Sequence, residues 1–197
     1  MSVKDNLSIE YEARAMISEK QYLTLLSFHK EHARSYKELI NINHYFDTDN
    51  RDLLNSHMVL RIREIVEQED ELTLKVKGEK GDLEITYPIS EKEKKEMIEK
   101  GILPSEKIKD FLLKKGIDLS KIKFITTLKT ERLEIYLRSY IFIIDKNEYN
   151  GKVDYNIEVE AKSKSLAKKH LDELGALIGV SSQDNYVSKS RRAILGL

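Results

Sequence analysis

The chain has 197 residues, 40% hydrophobic and 35% charged, and its 34 basic and 34 acidic residues give a formal net charge of zero. This length and apolar content predict a single domain, residues 1–197, with a buried core. The absence of cysteine excludes disulfides, thiolate zinc sites and cysteine nucleophiles. The zero net charge provides no basic excess for nonspecific nucleic-acid binding, so no nucleic-acid partner is predicted.

The N-terminal segment gives no sign of a targeting or membrane-spanning element. Residues Met1–Ser8 are polar and lack the apolar core of a signal peptide. No apolar run along the chain approaches the about 18 residues that a membrane-spanning helix requires. We therefore expect a cytoplasmic protein without membrane association, either a monomer or a homodimer.

Alternating apolar and charged residues predict strands in the first half of the chain. These predicted strands are Leu7–Ile17, Ile40–Asp47, Val59–Val66, Glu71–Lys77 and Leu83–Ile89. Ser18 is of a residue type preferred at helix N-caps, and apolar residues at helical spacing follow it. Together they predict a helix between the first two strands. Gly78–Gly81 predicts a hairpin turn.

The second half of the chain begins with two predicted helices. Ser90 and Glu93 form a capping-box pattern, and Gly101 ends that helix; Pro104-Ser105 begins the next helix, which Gly116 ends. The remaining predicted elements are strands Phe124–Arg138, Tyr140–Tyr149 and Val153–Ala161, a helix Ser165–Ile178, and a last element of undetermined type, Asp184–Ile194. Asn150-Gly151 is a strong turn signal between two of these strands.

About eight strands, mostly in meanders, therefore alternate with groups of helices. A parallel sheet would need a helix after nearly every strand, so an α+β fold with an antiparallel sheet, open or closed into a barrel, is favoured.

The most informative pattern is the clustering of like charges within single strands. Glu158 and Glu160 share one face of a strand, and Arg61 and Arg63 share one face of another. An ordinary solvated face avoids like charges side by side, although any single pair of this kind is consistent with such a face. The complete charged face is predicted to carry Glu10, Glu12, Arg14, Arg61, Arg63, Lys75, Lys77, Glu84, Arg132, Asp145, Glu158 and Glu160.

These residue types indicate a metal-assisted phosphate site. Mg²⁺ and Mn²⁺ prefer carboxylate and phosphate oxygens. Arginine grips phosphate with a two-pronged fork, and lysine acts as a point charge. Because phosphoryl transfer depends mostly on positioning and charge stabilisation, such a lining needs no covalent nucleophile.

The order of these residues resembles the CYTH superfamily, the triphosphate tunnel metalloenzymes, and is most similar to its small bacterial members of the Gram-positive type. Glu10-x-Glu12-x-Arg14 corresponds to the ExExK signature. The resemblance continues through Asn43–Thr48, Leu60–Arg63, Leu72–Lys77, Glu84, Arg132, Asp145, Ile157–Glu160 and Ser188–Arg192. It therefore extends over nearly the whole chain.

The resemblance implies a closed eight-stranded antiparallel β-barrel, a tunnel, with helices packed outside. It also implies metal-dependent hydrolysis of a triphosphate, with inorganic triphosphate expected and Mg²⁺ or Mn²⁺ as cofactor. By position, Glu10, Glu12, Asp145, Glu158 and Glu160 would serve the metal, with Glu10, Glu12, Arg14 and Asp145 catalytic. The substrate would be bound by Arg14, Arg61, Arg63, Lys75, Lys77, Glu84, Arg132 and Lys189.

Arg14 stands where the signature has lysine. Arginine keeps the charge but is bulkier, stays protonated and prefers fork geometry. The resemblance leaves two alternatives open, an adenylate cyclase of the same fold and a thiamine triphosphatase. Arg14 leaves a third open, a non-catalytic module that binds polyphosphate or nucleotides.

Overall fold

The computed structural model describes residues 6–66, 68–79, 81–183 and 186–197. Within these residues, nine strands form one antiparallel sheet in the order β1-β6-β5-β4-β3-β7-β8-β9-β2. The strands are β1 Asn6–Glu10, β2 Glu12–Ile17, β3 Tyr36–Asp47, β4 Met58–Ile65, β5 Glu71–Val76, β6 Asp82–Pro88, β7 Lys123–Tyr136, β8 Tyr140–Tyr149 and β9 Lys152–Ala161.

The sheet is strongly curled because its two edge strands are consecutive in the chain. Strand β1 pairs with β6 and strand β2 pairs with β9, and only Tyr11 separates β1 from β2. The predicted single strand Leu7–Ile17 is therefore two strands. The chain can join opposite edges of one sheet over a single residue only if the sheet curls until those edges meet.

The prediction of an α+β fold with an antiparallel sheet is confirmed, and the strand count is corrected from eight to nine. Among the described residues no ladder pairs β1 with β2, so a closed barrel is not shown. The break at Tyr11 explains the extra strand: the Tyr11 carbonyl accepts from the Ala161 amide at 3.1 Å, beside the β2 ladder.

The helices have the predicted caps and mostly the predicted bounds. They are α1 Glu19–His32, α2 Asp52–Asn55, α3 Glu91–Lys100, α4 Glu106–Lys114, α5 Lys164–Gly175 and α6 Lys189–Leu195, with 3₁₀ turns at Leu119–Lys121 and Ala176–Ile178. Ser90 and Glu93 form the predicted capping box, and Gly101 ends α3 at φ 69°. The last predicted element is the helix α6, and residues 184 and 185 of that prediction lie outside the described residues.

The apolar core lies on the convex face of the sheet, under the helices. One cluster packs Leu60, Leu72 and Leu74 under α3 and α4, and a second packs Phe142 and Ile157 under α1 and α5. A face that is covered by helices leaves the opposite, concave face of each strand to polar side chains. Among the described helices, none combines the length and the hydrophobicity of a membrane span.

One end of the concave side is filled by a third apolar cluster. Tyr45, Leu128 and Tyr149 from the sheet pack there against Ala193 and Ile194 of α6. The C-terminal helix thus closes one end of the curl, and its first turn faces the space that remains.

Candidate active site

A cavity of about 480 Å³ occupies the concave side of the curled sheet. Its lining contains every charged residue predicted for the site except Asp145. These lining residues are Glu10, Glu12, Arg14, Arg61, Arg63, Lys75, Lys77, Glu84, Arg132, Glu158, Glu160 and Lys189. The strand residues among them lie on one face of the sheet, across seven of its strands.

Three carboxylates converge at one place on the cavity wall. Strand β2 pairs with β9 so that Glu12 lies opposite Glu160, and Glu158 precedes Glu160 by two residues on the same face. One oxygen of each of these three side chains lies within 4.8 Å of the others. This is the donor set that a hard divalent cation such as Mg²⁺ or Mn²⁺ takes, so the residues present fit the metal.

The three carboxylates differ in electrostatic state. Burial raises the pKa of Glu160 from 4.5 to about 7; Arg132 opposes that shift, and the neighbouring Glu10 and Glu158 add to it. Burial also disfavours ionisation of Glu158, but Lys189, Arg14 and Arg132 outweigh it and hold the pKa of Glu158 well below its ordinary value. Glu158 is therefore ionised at neutral pH, whereas Glu160 titrates near neutral pH.

Glu158 is the centre of a buried ion-pair network. Its side chain is 2% exposed, and it accepts from Arg14 Nε at 3.2 Å and from Arg132 Nη2 at 3.1 Å. Lys189 Nζ lies 3.2 Å from the same carboxylate. The same three cations also pair with Asp145 and Glu12, so positive and negative charges nearly balance on this wall.

Asp145 lies behind the cavity wall. It is fully buried, and its carboxylate accepts two hydrogen bonds from Arg132, Nε to Oδ1 at 2.8 Å and Nη2 to Oδ2 at 2.9 Å. Lys189 Nζ donates to the same group at 2.6 Å. The structure thus does not bring Asp145 into the three-carboxylate cluster; it places Asp145 where it fixes two of the cations.

A second group of acids surrounds Lys75. Its ammonium lies 2.9 Å from Glu10, 3.2 Å from Glu12 and 3.3 Å from Glu84. Although burial opposes the charge, Glu12 and Glu84 raise the pKa of Lys75 above its ordinary value. Lys75 is therefore already compensated, and it connects Glu10 with the carboxylate cluster across the break at Tyr11.

Arg63 and Arg61 have much less compensation. Arg63 donates through Nε to the Asn43 amide oxygen at 3.2 Å, and among the described residues it makes no ion pair. Burial, with Arg61 and Arg132 nearby, lowers the pKa of Arg63 to about 10. Arg61 reaches Glu84 only at 3.9 Å, and its buried Nε has no hydrogen-bond partner among the described residues.

The three basic residues of the last motif separate clearly. Lys189, at the start of α6, lines the cavity, and Arg191 lies at its rim and is exposed. Arg192 turns away and pairs with Asp154, Nε to Oδ2 at 2.7 Å and Nη2 to Oδ1 at 2.8 Å. Lys77 is also exposed at the rim.

The sequence pattern did not predict two tyrosines that line the cavity. Tyr45 lies on β3 and is 1% exposed, and Tyr186 lies just before α6. Position on the charged face of β3, in register with Arg61, was the one available signal for Tyr45. Tyr186 belongs to a loop, where periodicity carries no information about direction.

The chain is similar to several known proteins. Residues 8–185 match the CYTH domain family. Over 153 residues the chain is 31% identical to "Putative triphosphatase YjbK" of Bacillus subtilis (strain 168), covering 78% of this chain and 77% of that protein.

Two solved structures are similar over most of their length. A Bacillus halodurans protein described as a "putative adenylate cyclase" is 32% identical, with a TM-score of 0.84 and coverage of 94% of this chain and 97% of that one. HpAC1 from Hippeastrum, for which a dominant triphosphatase activity is described, is 19% identical, with a TM-score of 0.77 and coverage of 95% and 96%. The second likeness shows a shared fold. The match over residues 8–185 shows that the chain belongs to the CYTH domain family.

Proposed function

We propose that this protein is a metal-dependent triphosphatase and that inorganic triphosphate is its substrate. One observation carries the proposal: in a single cavity, three convergent carboxylates lie on one wall, while Arg61 and Arg63 lie on another with little internal compensation. A cation-binding wall opposite an anion-binding wall suits a substrate that is itself a metal-chelating polyanion.

Glu12, Glu158 and Glu160 would hold Mg²⁺ or Mn²⁺. The bound cation would supply charge stabilisation for the phosphoryl group and acidify a coordinated water. Glu160 must lose its proton to become a ligand, so cation binding is expected to strengthen as pH rises through about 7. Lys75 donates to both Glu10 and Glu12 and so connects Glu10 with this cluster. Asp145 would support the cluster by fixing Arg132.

The cations of the cavity would bind the three phosphoryl groups. Arg61 and Arg63 can offer forked N–H donors to phosphate oxygens, and Glu84 holds Lys75 and Arg61 in place. Arg14, Arg132 and Lys189 would stabilise charge nearest the carboxylate cluster, where Glu158 orients all three. The exposed Lys77 would receive the substrate at the rim.

The name of the Bacillus halodurans relative favours one second candidate, the cyclisation of ATP. It requires the same metal and phosphate contacts and, in addition, recognition of the nucleoside. Formation of cyclic AMP from ATP would distinguish this reaction from hydrolysis.

The test is release of phosphate from inorganic triphosphate, thiamine triphosphate and ATP, with Mg²⁺ and Mn²⁺ separately. Glu160→Gln is the control variant, because replacing Glu158 would leave three buried cations without their carboxylate. The proposal expects release from inorganic triphosphate that the control loses. Metal-dependent binding of a triphosphate without phosphate release from any of the three substrates would contradict the proposal. That result would favour the non-catalytic binding module, and Arg14→Lys would be the next variant.

A further inference from the structure

Two guanidinium groups lie close to the Tyr186 ring. The Arg14 guanidinium carbon is 5.7 Å from the centroid of the Tyr186 ring, and that of Arg192 is 5.4 Å from it. Both distances are within the range in which an aromatic ring attracts a cation. The ring thus connects a residue of the active site with the residue that anchors α6.

Specific hydrogen bonds hold a residue on each side of Tyr186 in the chain. The Gln183 amide donates to the Arg14 carbonyl at 3.0 Å, and its side-chain oxygen accepts from the Met16 amide at 3.2 Å. On the other side, Arg192 is fixed by its two hydrogen bonds to Asp154. The ring is therefore placed by β2 on one side and by β9 on the other.

The contact concerns the position at which this chain departs from the family signature. Arg14 bonds Glu158 at 3.2 Å and also pairs with Glu12, so its orientation sets the geometry of two members of the carboxylate cluster. A planar guanidinium stacks on an aromatic ring, whereas an ammonium is a compact point charge on a flexible stem. The ring can therefore orient an arginine here better than it could orient a lysine.

We infer that Tyr186 is a positioning residue for Arg14, and that the ring and the arginine work as a pair in binding the triphosphate. The inference about triphosphate rests on the proposed function, whereas the ring contact itself does not. The Tyr186 ring therefore also couples the packing of α6, through Arg192, to the position of Arg14 in the active site.

The kinetic test is a double-mutant cycle on phosphate release. Tyr186→Leu is expected to raise the KM for inorganic triphosphate about fivefold, a factor in the range of a cation–π contact, and Tyr186→Phe, which keeps the ring, by less. In an Arg14→Lys background the same Tyr186→Leu change is expected to raise the KM less than about twofold. Equal factors in the two backgrounds would overturn the pairing.

A second readout does not depend on turnover. In the NMR spectrum, the Arg14 Nε–Hε resonance, identified by its loss in Arg14→Lys, is expected to move in Tyr186→Leu and to stay near its place in Tyr186→Phe. Tyr36→Leu, at an exposed tyrosine on β3, is the matched control and should leave it unchanged. An unmoved resonance in Tyr186→Leu would overturn the inference even if the protein hydrolyses triphosphate; a moved resonance without hydrolysis would sustain the contact and refute the proposed function.

Discussion

Replacing Glu160 with glutamine should stabilise the metal-free protein at alkaline pH. Burial beside Glu10, Glu12 and Glu158 raises the pKa of Glu160 from 4.5 to about 7. As pH rises through this window, the unfolded chain releases the Glu160 proton before the folded protein does. The free energy of unfolding therefore falls with rising pH, because the folded state binds more protons. Glutamine at this position carries no such charge.

The magnitude follows from the two pKa values. A difference of one pKa unit corresponds to about 1.4 kcal/mol, so the change from 4.5 to about 7 gives about 3.5 kcal/mol at most. The Glu160→Gln variant should match the wild type near pH 4.5, where both side chains are neutral. It should exceed the wild type by up to about 3 kcal/mol near pH 8.

Urea unfolding in the presence of a chelator, at intervals from about pH 4.5 to about pH 8, measures this difference. Glu31→Gln, at an exposed glutamate on α1, is the matched control and should follow the wild type within about 0.5 kcal/mol at every pH. If the gap between Glu160→Gln and the wild type does not widen with pH, the electrostatic description of the carboxylate cluster is wrong.

Three further changes test other parts of the structure. Arg61→Ala should raise the KM for triphosphate about tenfold or more by removing a charge-assisted contact. Lys92→Ala, on the exposed face of α3, should leave the kinetics unchanged. Equal effects of the two changes would contradict the assignment of Arg61 to substrate binding. Arg192→Ala should lower the free energy of unfolding by about 3 kcal/mol, because it leaves the half-buried Asp154 carboxylate without its cation. A loss below about 1 kcal/mol in urea unfolding would refute this. Gly101→Ala should lower the free energy of unfolding by about 2 kcal/mol or more, because φ is +69° and the new Cβ would meet a backbone oxygen at 2.0 Å. Gly116→Ala, at φ +76° in open space, should lower it by about 1 kcal/mol. Equal shifts of the thermal midpoint in the two variants would contradict this.

Local sequence signals predicted most of the elements. Ser90 with Glu93 and then Gly101 marked both ends of α3, and Asn150-Gly151 marked a turn in which φ is 49° and then 74°. These signals work because they depend on backbone groups within a few residues. The faces of strands were equally readable, since period two fixes which side chains share a side.

What the sequence could not provide was the choice of partners across the sheet. The break at Tyr11 follows from β1 pairing with β6 while β2 pairs with β9, contacts that join residues far apart in the chain. Periodicity also gives the face of a residue but not its depth. Strand position put Asp145 on the charged face and the family resemblance implied a role at the metal, whereas the structure places its carboxylate behind Arg132.

The most direct test of the proposed site is a crystal structure with Mn²⁺ and a non-hydrolysable analogue of inorganic triphosphate. The anomalous signal of the metal is expected within coordination distance of Glu12, Glu158 and Glu160, with the phosphoryl groups against Arg61 and Arg63. A metal peak away from the three carboxylates, or an analogue bound outside the cavity, would contradict the assignment of this cavity as a triphosphatase site.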